Sequence, residues 1–132
     1  MRGADTNVIA RLLLADDLTQ LAAVTRISEQ ARDEGELFYL TSIVVCELVW
    51  ILESTYSQTR VQICEALDRV LEFELFRFEH EALVRRALEL FRGGRADFSD
   101  YLIGEICREA GCRDTVTFDR DLRGAEGYSV LY

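Results

Sequence analysis

Leu37-Phe38-Tyr39-Leu40-Thr41-Ser42-Ile43-Val44-Val45-Cys46-Glu47 changes character halfway along. Leu37 to Leu40 is a short apolar run and reads as a buried strand. Thr41 or Ser42 offers a hydroxyl to cap a helix. That helix then runs to about Ser54. A buried strand passing straight into a helix is the first half of a βαβ unit, and the same grammar recurs on both sides of it.

Upstream, Arg2 to Asp5 reads as a first strand, weakened by Gly3. Asn7 to Ala15 has helical spacing in Val8, Leu12 and Ala15. Asp17 with Gln20 resembles a capping box. The helix it opens carries Leu21, Val24 and Ile27 on one face, runs toward Arg32 and stops at Gly35. Downstream, Ser57 to Leu71 reads as a helix and Leu75 to Phe78 as a strand. Glu79 to Phe91 is a further helix, closed by Gly93-Gly94. Asp97 to Ala110 is the last long helix, ended by Gly111. Thr115 to Phe118 is a strand, Asp119 to Arg123 a turn or short helix, and Ser129 to Leu131 a final strand. Strands alternating with helices predict an α/β fold whose mostly parallel sheet is covered on both faces. In such folds the C-terminal ends of strands and the starts of helices share a rim, where sites form.

The chain has 132 residues and reads as one domain, 1–132. Its hydrophobic fraction of 49% suffices for a core without disulfide staples. Asp5 and Arg11 interrupt any apolar run that a secretory signal would need. The longest apolar segment, Ser42 to Leu52, contains Glu47 and is too short to span a bilayer. The expectation is a soluble cytoplasmic protein with no membrane association. Cys46, Cys64, Cys107 and Cys112 lack metal-ligand spacing, and His80 is the only histidine, so zinc is disfavoured. The cysteines read as reduced, mostly buried thiols. The net charge of −9 argues against grip on nucleic acid through a broad basic face. There is no Lys at all, so any mechanism that requires one is excluded.

Four acidic residues stand where a strand ends or a helix begins: Asp5, Glu47, Asp100 and Asp119. A parallel sheet could bring them together at one edge. Clustered carboxylates repel, and a hard divalent cation such as Mg²⁺ or Mn²⁺ makes the cluster tolerable. Such an ion polarises a phosphodiester and generates a hydroxide-like nucleophile near neutral pH, so the pattern predicts a metal-dependent nuclease. Each acid also has a capping or surface reading. Asp5 can cap the first helix, Asp97 and Asp100 can be the N-cap and N3 residues of one helix, and Asp119 can cap the turn containing Asp121. Capping is the preferred role for Asp97 and metal binding for Asp100. Glu47 stands among Val44, Val45, Leu48, Val49, Trp50 and Ile51, where a Glu is expected to have a partner or a task. Gly104, one turn after Asp100, leaves room either for a metal's water or for a close helix–sheet contact. Thr117 can bond a carboxylate or simply occupy a strand position. His80 reads as a helix-start residue, and Trp50 with Phe73, Phe76 and Phe78 as core.

Asp5-Thr6-Asn7-Val8, Ser42 with Glu47, Ala96-Asp97-Phe98-Ser99-Asp100-Tyr101-Leu102-Ile103 and Thr117-Phe118-Asp119-Arg120-Asp121-Leu122 together resemble the motifs of PIN-domain nucleases. Within that family they are similar to the VapC-type toxins of bacterial and archaeal toxin–antitoxin modules. The resemblance covers essentially the whole chain, in order. It implies a three-layer α/β/α sandwich with a central parallel sheet, and a Mg²⁺- or Mn²⁺-dependent endoribonuclease. It implies Asp5, Glu47, Asp100 and Asp119 as the catalytic and metal-binding acids, with Asp97 as a fifth. Thr6, Asn7, Ser42 and Thr117 would support the acidic pocket. It also implies RNA as substrate, a homodimer, and a protein antitoxin whose basic segment suits an acidic chain. Leu122 stands where the family often has an aromatic, and Gly3-Ala4 make the first strand less apolar than usual.

Competing classes fare less well. A phosphoacceptor signalling domain relies on a Lys that is missing here. A haloacid-dehalogenase-type phosphatase needs D-x-D after its first strand, and Asp5-Thr6-Asn7 lacks the second acid. Two alternatives remain: a catalytically silent binding module on the same fold, and a DNA-cleaving metal-dependent nuclease.

Overall fold

The computed structural model describes residues 1–14 and 17–131. Its residues group into two compact units, Met1–Glu79 and His80–Tyr132.

The first unit contains β1 (Arg2–Gly3), α1 (Thr6–Leu14), α2 (Leu18–Glu34), β2 (Phe38–Leu40), α3 (Ser42–Ser54), α4 (Arg60–Glu72) and β3 (Phe76–Phe78). The expected end of the first helix at Ala15 lies outside the described residues. The strands pair in the order β1-β2-β3, and both pairings are parallel. Phe38, Leu40, Phe76 and Phe78 are buried, while Arg77 between the last two is exposed. That alternation is the two-residue period of a strand. Phe76 packs on Phe73 at 4.6 Å between ring centroids and edge-on to Phe78 at 6.5 Å. α1 packs against α2 and α3, and α3 against α4. Ile9, Leu40, Val45, Leu48, Leu52, Ile63 and Leu67 form the centre.

The helix ends follow local chemistry. Asp17 accepts the Gln20 amide at 3.0 Å, as the sequence predicts. Gly35 takes a left-handed φ of 68° and ends α2. Thr41 accepts the Val44 amide and starts α3. α4 begins at Arg60, three residues later than apolar spacing predicts. Ser57 sits at a φ of 50°, and Thr59 forms a reciprocal capping box with Gln62 at 2.9 and 3.2 Å. The cap sets the boundary where the hydrophobic pattern cannot.

The second unit contains α5 (Glu81–Gly93), α6 (Phe98–Glu109), β4 (Thr115–Thr117), a 3-10 turn at Arg120–Leu122 and β5 (Tyr128–Val130). β4 and β5 are parallel, with Thr115 opposite Tyr128 and Thr117 opposite Val130. α5 and α6 pack together over Leu83, Ala87, Phe91, Phe98 and Leu102. His80 is the residue before α5, as expected, with a φ of 55°. Gly111, with a φ of 94°, closes α6, where its amide bonds to Arg108 and that of Cys112 to Cys107. Glu105 is 3% exposed and pairs with Arg86 of α5 at 2.9 Å.

The α/β class and the parallel pairing are therefore as expected. Two residue-level expectations are not. Trp50 is 67% exposed rather than core, because it falls on the outer face of α3. The thiols are free but not mostly buried: Cys64 is buried, Cys46 and Cys107 are half-buried and Cys112 is exposed. Burial pushes the Cys46 thiol above its ordinary pKa. Among the described residues, no helix is long and apolar enough to cross a membrane.

Candidate acidic site

The start of α6 is held by a dense set of local bonds. Gly94 and the residues after it approach Tyr101 so closely that a Cβ on Gly94 would lie 1.9 Å from the Tyr101 Oη. That oxygen accepts the amides of Arg95 at 3.2 Å and Ala96 at 3.3 Å. Asp97 follows in extended conformation as the N-cap residue. Its amide donates to Asp100 Oδ2 at 3.2 Å. The capping arrangement anticipated for Asp97 and Asp100 is thus present, and it fixes where the Asp100 carboxyl points.

Asp119 lies at the end of β4. Its amide bonds to Thr117 Oγ1 at 3.0 Å, and its Oδ1 accepts the Asp121 amide at 2.9 Å. Thr117 therefore holds the Asp119 backbone rather than a carboxylate. The Asp100 and Asp119 carboxyls meet. Burial is the largest cause pushing the Asp100 pKa up; the Asp97 amide opposes it, and the charges of Asp97 and Asp119 and a hydrogen bond to Asp119 add to it. Two carboxyls in contact in a partly desolvated place resist double ionisation. The second unit thus brings together Asp97, Asp100 and Asp119.

The first unit supplies a rim of its own. Gly3 pairs with Tyr39 and Leu40 with Phe78, so the register carries Asp5, Thr41 and Glu79 just past the ends of the three strands. Asp5 Oδ1 accepts the Val8 amide at a long 3.4 Å. Thr6 is buried and Asn7 exposed. The Ser42 amide donates to Glu79 Oε1 at 2.9 Å. The Ser42 hydroxyl is buried and has no hydrogen-bond partner among the described residues. Glu79 was not singled out in the sequence, although it follows its strand as Asp5 follows β1. Glu47 is exposed on α3, in a stripe with Ile43 and Trp50, and makes no hydrogen bond or ion pair among the described residues.

Gly104 belongs to a close packing contact, not to a metal's water. A Cβ there would come within 1.9 Å of the Tyr128 Oη. The phenol takes the space that a helix glycine leaves open. Neither Tyr128 nor the buried Glu105 carries a sequence signal, since each is one polar residue in an otherwise ordinary strand or helix.

Among the described residues, no group of three or more His, Cys, Asp or Glu side chains is placed to hold a metal ion. The paired Asp100 and Asp119 still suit a hard cation. Mg²⁺ keeps several waters and is commonly bound through one or two carboxylates. Mutual repulsion in the pair is relieved by such a charge, and carboxylate oxygens are donors that suit Mg²⁺ and Mn²⁺.

The chain is thus an α/β protein with parallel strands and a pair of contacting aspartates, one at a helix start and one at a strand end. The PIN domain model matches residues 4–127, and the chain belongs to the PIN-domain family. It is 28% identical over 120 residues to a VapC ribonuclease of Aquifex aeolicus (strain VF5), covering 91% of this chain and 88% of that protein.

Proposed function

We propose that this chain is a divalent-metal-dependent endoribonuclease, the toxin of a type II toxin–antitoxin pair. Residues 1–132 would act as one nuclease domain. The contact between Asp100 and Asp119, in a chain of the PIN family, is the observation that carries the reading. The VapC ribonuclease relative supports RNA as the substrate.

Asp100 and Asp119 would hold Mg²⁺ or Mn²⁺. Asp5 would be a further ligand, with Glu47 either a ligand to a second ion or the group that orients water. Bound there, the ion supplies Lewis-acid polarisation of the phosphodiester and a water of lowered pKa. Asp97 caps the helix that carries Asp100, Thr117 fixes the backbone of Asp119, and Ser42 lies at the start of the helix that carries Glu47. Thr6 and Asn7 follow Asp5 directly. Arg85, Arg86, Arg92, Arg95, Arg120 and Arg123 are the candidates for guiding an RNA backbone. Arg85, Arg86 and Arg92 also make ion pairs, with Glu81, Glu105 and Glu89.

The partners follow from charge and exposure. A net charge of −9 favours a basic antitoxin segment. Ile43 at 71% and Trp50 at 67% exposure give α3 an apolar outer stripe beside Glu47, which suits an antitoxin or a second copy in a homodimer. A cytoplasmic location agrees with this assignment.

Cleavage of single-stranded RNA in Mg²⁺ tests the reading. Wild type should cut, while Asp5→Asn and Asp100→Asn should each lose at least about a hundredfold in rate. Equal rates for all three would refute it. Cutting of DNA but not RNA would keep the site and change the substrate.

A further inference from the structure

Tyr128 stands on β5 and reaches α6 through the notch at Gly104. A Cβ at Gly104 would lie 1.9 Å from the phenol oxygen and 2.4 Å from Cζ, so the ring and a side chain cannot share the space. The hydroxyl donates to the main-chain carbonyl of Asp100. The amide of Gly104 lies beside the phenol oxygen and favours its charged form, against the larger effect of burial. Those two groups are the ends of one helical rung, the Asp100 carbonyl and the amide four residues on. The phenol therefore sits on the rung that begins at Asp100 itself. Burial, reinforced by the charge of Asp100, pushes the phenol pKa up to about 12, so the hydroxyl keeps its proton near neutrality.

We propose that Tyr128 is a positioning residue for the acidic site, fixing the Asp100 backbone and hence the direction in which its carboxyl faces Asp119. The role rests on the function proposed above and deepens it. A phenol is not needed to complete the helix, because the Gly104 amide alone would satisfy the Asp100 carbonyl. An apolar side chain would fill the notch as well. What the hydroxyl adds is a third fixed point on the turn that carries Asp100. The Tyr101 oxygen, holding the amides of Arg95 and Ala96, fixes the approach to that turn. The Asp97 amide fixes the Asp100 carboxyl. Tyr128 fixes the carbonyl and ties it to β5, whose partner β4 leads directly to Asp119. One side chain thereby links the element bearing the first carboxyl to the sheet bearing the second. Small errors in such a pair cost binding and rate, since metal ligands act only within narrow geometry.

Tyr128→Phe keeps the ring and removes only the donor. Mn²⁺ binding to the 132-residue chain is measured by calorimetry, alongside steady-state cleavage of a single-stranded RNA. The expected result is Mn²⁺ affinity and kcat each down about fivefold, the worth of one hydrogen bond, with KM for RNA within about twofold. Gly104→Ala, which keeps the phenol but evicts it from the notch, should weaken Mn²⁺ binding to a similar degree. It decides the matter should Tyr128→Phe fail to fold. A lowered melting temperature with unchanged Mn²⁺ affinity and kcat in either folded variant would overturn the proposal, leaving Tyr128 a packing residue. Asp119→Asn serves as the reference. If it binds Mn²⁺ as tightly as wild type, the assignment of the acidic pair is wrong and the role of Tyr128 falls with it. A loss in Asp119→Asn without one in Tyr128→Phe sinks only the role of Tyr128.

Discussion

At Asp100 a single carboxyl accepts the Asp97 amide and also faces Asp119. The first contact favours the charged form and the second disfavours it. Burial and the neighbouring charges prevail, so the pKa is raised above its ordinary value of 3.8. The folded pKa then lies above the unfolded one. Between the two, the native chain binds the extra proton, so stability falls as pH rises through that window and stays lower above it. Replacing the charge should therefore stabilise the metal-free protein. Asp100→Asn keeps an oxygen for the Asp97 amide and removes the repulsion. In thermal melts at neutral pH with chelator present, it should melt above wild type, and the gap should close below about pH 3.8, where Asp100 is neutral in both states. A variant that is inactive yet more stable marks a residue kept for chemistry. One that is inactive and less stable would mean that Asp100 serves mainly as a cap.

At the scale of elements, most helix boundaries were legible from polar caps and glycine stops. Asp17, Gly35, Thr41, Gly94 and Gly111 all end or begin helices where their chemistry requires. The start of α4 was misplaced because Val61 and Leu67 suggest a helix without saying where it opens. The Thr59–Gln62 box says where, and Thr59→Ala should cost about 1 kcal/mol in urea unfolding. It should leave RNA cleavage per folded molecule unchanged, since α4 carries none of the acidic set. Strand ends were readable to within one or two residues, β1 stopping at Gly3 rather than Asp5 and β4 at Thr117 rather than Phe118, which leaves Asp5 and Asp119 just past them. Side-chain partners were not. Nothing in one sequence says that Tyr128 fills the notch at Gly104, that Arg86 meets a buried Glu105, or that Glu79 takes the Ser42 amide. Each pairs residues at least 19 apart, and periodicity reports only on neighbours within an element. Trp50 misled for a related reason. An apolar residue in an apolar helix looks internal until the burial of Val45, Leu48, Val49 and Leu52 sets which face is inside.

The whole molecule carries a charge of −9, and that charge complicates any claim about a metal. Self-repulsion destabilises a strongly acidic chain, and any salt relieves part of it. A rise in melting temperature on adding Mg²⁺ or Mn²⁺ is therefore not by itself a sign of a site. Specific binding to the native state adds RT ln(1 + [L]/Kd), about 1.4 kcal/mol at tenfold over Kd. For a chain of this length that is a rise of roughly 4–6 °C. Screening, by contrast, depends mainly on ionic strength, so NaCl matched in ionic strength supplies the baseline. Wild type should gain those degrees with Mn²⁺ beyond the NaCl control. Asp119→Asn should gain only what NaCl gives, because it retains nearly all of the net charge and loses half of the carboxyl pair. If wild type and Asp119→Asn rise equally in Mn²⁺, the stabilisation is screening spread over the surface, and the pair is no seat for a cation. If only the wild type exceeds its control, the divalent ion binds where Asp100 meets Asp119, and the repulsion that weakens the metal-free fold is the same interaction that draws the ion in.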